Sequence, residues 1–161
     1  MSYLKKIILL CSVLVNTACA SEPCVFADDF FSEEKYKTNS LISKYVWSEI
    51  NKEAKGVFSN GNLFSIKHWS CEHYGTHAVL FVGPNLEEIP ANINKYVLML
   101  AEVSLTNEEA NLLEAAIGKR DLLLSNSPQR IVVRSDEYSE FYVSFSITND
   151  VIFIDIKLYR D

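Results

Sequence analysis

In the last third of the chain, apolar and polar residues alternate with a period of two. Phe141, Val143, Phe145 and Ile147 are interleaved with Tyr142, Ser144 and Ser146. Ile152, Ile154, Ile156 and Leu158 are interleaved with Phe153, Asp155, Lys157 and Tyr159. Strand side chains point alternately to the two faces of a sheet, so each segment predicts a strand with one apolar and one wetter face. Thr148-Asn149-Asp150 supplies turn chemistry between them, which makes the pair an antiparallel hairpin. Residues 130–134 predict a further strand ahead of it.

Upstream, residues 63–71 and 76–82 read as two more strands. The second, Ala78-Val79-Leu80-Phe81-Val82, is apolar on both faces and belongs at the centre of a sheet or beneath helices. Glu72 to Gly75 would form the hairpin turn, with Gly75 free to take a positive φ, and Asn60-Gly61-Asn62 a second turn. Helical spacing shows in three places. Leu41, Ile42, Tyr45, Val46 and Ile50 share one stripe of a helix over residues 32–55, capped by Ser32 and stopped by Gly56. Pro90 can open a helix that runs to residue 103 through Ile93, Val97, Leu98 and Leu100. Thr106-Asn107-Glu108-Glu109 is a capping box that opens another, ending at Gly118. The sum is an α+β fold: a mainly antiparallel sheet of about five strands with helices on one face.

The first twenty residues have a different pattern. Lys5-Lys6 is a basic flank, residues 7–15 are an apolar run too short for a membrane anchor, and Ala18-Cys19-Ala20 presents small residues where a signal peptidase reads. Residues 1–20 therefore read as a signal peptide cleaved after Ala20, and residues 21–161 as one globular domain in the periplasm or secreted. Thr17-Ala18-Cys19 also resembles the lipid-attachment motif of bacterial lipoproteins, departing from it at Asn16, where that motif has an aliphatic residue. The resemblance implies an outer-membrane lipoprotein acylated at Cys19, and membrane attachment would follow only from that.

Composition narrows the partner. The chain carries a net charge of −6, and without Lys5 and Lys6 it has 13 basic residues against 21 acidic ones. Such a balance lacks the electrostatic footprint for nucleic acid and suits another protein, basic in character, or plain solubility. The mature chain keeps Cys24 and Cys71, which an oxidising compartment would join as a disulfide.

All three histidines lie in a ten-residue window that also holds Cys71 and Glu72. His68, Glu72, His73 and His77 are the candidate metal ligands, with zinc the cofactor they would suit. Strand alternation turns His68 away from Cys71, and the window lacks both a helical His-Glu-x-x-His and paired Cys-x-x-Cys knuckles. The simpler reading is therefore a hairpin with imidazoles at its rim and no cofactor. A Cys71 nucleophile with a histidine base would need a reduced thiol, which export disfavours. Four acid pairs, Asp28-Asp29, Glu33-Glu34, Glu87-Glu88 and Glu108-Glu109, mostly fall at predicted helix starts, where the helix dipole accounts for them. Tyr138, Tyr142, Phe153 and Tyr159 fall partly on the outer face of the C-terminal strands, as cross-strand pairs or as a patch for a partner.

No catalytic set emerges from these residues. The expectation is a small exported non-catalytic binding protein, by analogy with immunity proteins and periplasmic inhibitors that cap a basic partner. Two rivals stand beside it: a metal-binding or metal-dependent hydrolytic protein on the His68–His77 hairpin, and a lipid-anchored envelope structural or assembly factor.

Overall fold

A computed structural model describes residues 32–70, 74–83, 93–118, 122, 129–134, 139–149 and 151–160. In chain order these form α1 (Glu34–Lys37), β1 (Ile42–Ser48), β2 (Glu53–Phe58), β3 (Leu63–Ser70) and β4 (Tyr74–Val82). The helices α2 (Asn94–Ser104) and α3 (Asn107–Ile117) follow, then β5 (Gln129–Arg134), β6 (Ser139–Thr148) and β7 (Val151–Arg160). The strands make one sheet of seven in the order β1-β2-β3-β4-β7-β6-β5, with every neighbouring pair antiparallel. The α+β class is as the sequence indicates. The strand count is higher, and one helix is different in kind.

That helix is the one expected over residues 32–55. Only its first turn exists, as α1; the chain then runs through β1 and β2. The spacing of Leu41, Ile42, Tyr45, Val46 and Ile50 fits a helical stripe, but the composition decides against it. Ile42-Ser43-Lys44-Tyr45-Val46-Trp47 is β-branched and aromatic, which favours a pleated surface. Leu41, Ile42, Tyr45 and Trp47 pack toward the core while Val46 is 75% and Ile50 89% exposed, so the expected stripe is split between two faces. Lys52, at φ 46, closes the β1–β2 turn, and Gly56 lies inside β2 instead of stopping a helix.

The other elements fall close to their expected places. Gly61, at φ 88, makes the β2–β3 turn. The β3–β4 pairing holds, but Tyr74 and Gly75 are already strand, so Gly75 is not a positive-φ turn residue. Pro90 lies outside the described residues and α2 starts at Asn94. The capping box is formed as expected: Thr106 accepts from the Glu109 amide at 3.3 Å, and Glu109 accepts from the Thr106 amide at 2.7 Å. Residues 1–31 and 71–73, with the signal peptide, Cys19 and the Cys24–Cys71 pair, are outside the described residues.

The core sits between the helices and one face of the sheet. Ala78, Leu80 and Val82 of β4, and Ile152, Ile154, Ile156 and Leu158 of β7, are buried with Val97, Leu100 and Ala101 of α2 and Leu113 and Ile117 of α3. Asn94 ties the loops to this layer: its carbonyl oxygen accepts from the Leu122 amide at 3.1 Å and its amide nitrogen donates to the Ile117 carbonyl at 3.4 Å. Among the described residues, no helix is long and apolar enough to cross a membrane.

Replacing a central core residue should therefore cost far more than replacing an outward one. Ile154→Ala is expected to lower the unfolding free energy by roughly 2–5 kcal/mol. Val46→Ala should stay within about 0.5 kcal/mol, because its side chain stands in solvent. Urea denaturation of both variants checks the core and the strand assignment of residues 42–48 together.

Candidate functional site

Alternation within the strands leaves the second face of the sheet to side chains that do not enter the core. Register aligns these side chains in rows across the strands. One row runs Lys67, His77, Lys157, Tyr142, Val132; the next runs Ser65, Val79, Asp155, Ser144, Arg130. Toward one end of the strands lie Trp69, Gly75, Tyr159 and Glu140, and toward the other Leu63, Phe81, Phe153 and Ser146.

The aromatic residues on this face brace one another. Trp69 and Tyr159 meet edge to face with ring centroids 5.7 Å apart, and Tyr142 and Tyr159 do so at 5.7 Å. Phe81 and Phe153 form a third edge-to-face pair at 5.3 Å. The Arg130 guanidinium lies over the Tyr142 ring, 4.3 Å from its centroid. The row depends on Gly75: a Cβ there would fall 2.3 Å from Trp69 Cζ2 and 2.7 Å from the Leu158 carbonyl oxygen. Only glycine lets the indole lie across the strand toward Tyr159.

Polar groups occupy the middle. His77 Nε2 is 2.9 Å from Asp155 Oδ2, and Lys157 Nζ is 3.9 Å from the same oxygen. Two shallow clefts adjoin at Ser144. One, of about 440 Å³, is lined by Arg130, Tyr142, Ser144, Lys157 and Tyr159. The other, of about 420 Å³, is lined by Val79, Ser144, Ser146, Phe153 and Asp155 among others. A larger depression, about 880 Å³, lies elsewhere, on the helical layer between α2 and α3, with Leu98, Met99, Glu102 and Glu114 in its walls. Size alone does not make it the better site. It has no Trp, Tyr or Arg in its lining, whereas the sheet face clusters all three.

The histidine window separates in three dimensions. His68 pairs with Thr76 in the register and shares the covered face with it, whereas His77 is on the open face. The two imidazoles therefore cannot hold one ion. Glu72, His73 and Cys71 are outside the described residues. Among the described residues no three His, Cys, Asp or Glu side chains are grouped to hold a metal.

His68 has a structural role instead. It is buried, with Nε2 2.9 Å from the Tyr36 hydroxyl and Nδ1 2.9 Å from Thr76 Oγ1. A neutral imidazole donates through one nitrogen and accepts through the other, and two hydroxyls complement either tautomer. Burial pushes its pKa down to about 3, with a smaller push from the nearby Lys35 ammonium. Lys35 is itself lowered to about 8 by burial, against the pull of Glu109 and Glu102, and donates to the Leu105 carbonyl. Burial also raises the Tyr36 hydroxyl.

Of the aromatic patch expected from the sequence, Tyr142, Phe153 and Tyr159 share the open face, and Tyr138 is outside the described residues. Lys157 is on the outer face as the alternation of the last strand indicates, whereas Arg130 and Trp69 were not foreseen there. Strand parity could have placed Arg130, which alternates with Ile131. Chemically the face offers rigid aromatic edges, oriented cations and one histidine–carboxylate pair, with Ser144 on the far side of Asp155 from His77. Ser144 is therefore not beside the imidazole, where a hydroxyl activated by His77 would stand. No family model matches the chain, nor does any curated protein or solved structure at a significant level.

Gly75→Ala should destabilise the fold by about 1–3 kcal/mol through overpacking against Trp69. Gly75→Ala with Trp69→Ala should recover part of that loss in the same thermal or urea measurement, and no recovery would dissociate the two residues. The buried histidine gives a second outcome. The unfolded chain protonates it near pH 6.5 and the folded chain near pH 3, so the unfolded state binds the extra proton between those values. Stability is therefore fully present above pH 6.5 and falls as pH drops toward 3, by at most about 1.4 kcal/mol per pH unit for this one group. His68→Gln should flatten that dependence between pH 6.5 and 5, as read from unfolding midpoints.

Proposed function

We propose that this chain is a small exported binding protein that captures another protein on the open face of its sheet, without chemistry on the partner. The observation that carries this reading is the cluster of Trp69, Tyr142, Tyr159 and Arg130, locked by ring contacts and a cation–π stack on a face free of α2 and α3. Trp, Tyr and Arg are the residue types that dominate binding energy at protein interfaces. Rigid rings lose little conformational entropy on binding, so a pre-braced cluster keeps more of its contact energy as affinity. The clefts beside it are shallow and open to water, which suits contact with a surface better than enclosure of a reacting substrate.

Export rests on the N-terminal pattern of Lys5-Lys6, the apolar run and Ala18-Cys19-Ala20. A basic partner of the kind that immunity-type proteins cap would find its complement on the helical layer, where Glu102 and Glu114 flank the larger groove. The aromatic cluster favours the sheet face as the main contact.

Immobilised wild-type protein, Arg130→Ala/Tyr159→Ala and Glu102→Lys/Glu114→Lys should be compared as baits in envelope extracts. A stoichiometric partner is expected on the wild type and the helix-layer variant, and at least tenfold weaker on the sheet-face variant. Loss on the helix-layer variant alone would move the site to the groove. Absence of any stoichiometric partner on the wild type would remove the reading.

A further inference from the structure

The open face carries a cluster of cations although the chain is acidic. Lys67 and Lys157 stand in one cross-strand row, and Arg130 in the adjoining row. The carboxylates on this face are engaged. Asp155 is 2.9 Å from His77 and 3.9 Å from Lys157, so this one carboxylate is shared between the imidazole and the ammonium. Glu140 accepts the Tyr142 hydroxyl, and Glu53 pairs with Lys55 at 2.9 Å. Among the described residues no carboxylate pairs with Arg130, whose guanidinium faces the Tyr142 ring. The helical layer has the opposite balance, with Glu102, Glu108, Glu109 and Glu114 against Lys95.

We propose that the cleft lined by Arg130, Tyr142, Ser144, Lys157 and Tyr159 is an anion subsite that takes a carboxylate from an acidic segment of the protein partner. The proposal rests on the sheet face being the binding surface and names what it recognises there. Arg130 and Lys157 stand two strands apart and in adjoining rows, about 12 Å, and both side chains are long enough to reach the cleft between them. The Tyr142 ring fixes the guanidinium and so lowers the entropy lost when it binds. Asp155 and Glu140 at the margins tolerate a monoanion better than a dianion, which favours carboxylate over phosphate. The net charge of the whole chain disfavours extended polyanions, so a short acidic segment of a protein is the occupant that fits both scales of charge.

The test uses an eight-residue glutamate-rich peptide, with inorganic tripolyphosphate as the comparison, titrated into ¹⁵N-labelled protein. Shifts should centre on Arg130, Tyr142, Ser144, Lys157 and Tyr159 and weaken with added salt. Arg130→Gln/Lys157→Gln should bind the peptide at least tenfold more weakly at an unchanged melting temperature, and Lys95→Gln on the helical layer should bind as the wild type does. No shifts at millimolar peptide, an unaltered double variant, or tighter binding of tripolyphosphate to the same residues would each overturn the proposal. Sedimentation that shows self-association lost in the double variant would also overturn it, by making the occupant the acidic helical layer of a second copy. If the peptide fails while Tyr159→Ala still releases the captured partner, the subsite falls and the binding face stands.

Discussion

The register between β4 and β7 is the constraint on which the rest of the structure depends. Nine residue pairs, from Tyr74↔Arg160 to Val82↔Ile152, join the two strands at the middle of the sheet. The pairing puts Ala78, Leu80 and Val82 beside Ile156, Ile154 and Ile152 under α2. It therefore also puts His77, Val79 and Phe81 beside Lys157, Asp155 and Phe153 on the other face. A slip of one residue along either strand would exchange these sets and drive Asp155 and Lys157 into an apolar layer. Burying an unpaired charge there costs several kcal/mol, so the core polices the open face as strictly as it orders itself.

The same parity explains what could be read in the sequence. The β6–β7 hairpin was legible because every second residue over 141–147 and over 152–158 is a large apolar one and a short polar turn joins the two segments. The capping box at Thr106 was legible because its chemistry is local. Residues 42–58 were not, since a seven-residue and a six-residue strand are too short for period two to separate from period 3.6. What resolves them is tertiary: Tyr45 and Trp47 find the Tyr36 ring, at 6.0 and 5.5 Å, only when the chain is extended. No count along the sequence contains that contact.

The histidine window shows why proximity in sequence misleads about chemistry. His68 and His77 differ by an odd number of residues, and the register places His68 opposite Thr76 and His77 opposite Lys67. One imidazole became a buried hydrogen-bonding element and the other a surface group beside a carboxylate. The buried one is costly to ionise, and its Tyr36 and Thr76 partners anchor α1 and β4 to the same point of β3. Lys35 next to it adds a charge that burial disfavours and that Glu102 and Glu109 draw back. This corner holds the polar groups of the covered layer together, so its chemistry serves the fold.

The open face obeys a looser rule. Ser144, Lys157 and Tyr159 are partly or well exposed, and exchanging such side chains leaves the layer beneath α2 intact. Recognition on this surface can therefore change with little loss of stability. Trp69 is the exception. Its indole fills the space that Gly75 vacates and buttresses Tyr159, so any substitution at Trp69, Gly75 or Tyr159 alters both the packing and the presented edge. Coupling of this kind ties the packing of the surface to what it presents. On the binding role proposed above, the ring contacts would supply affinity, while the charges of Lys157 and of Arg130, held over the Tyr142 ring, would set which partner is accepted, an interaction whose strength depends on salt and on complementarity.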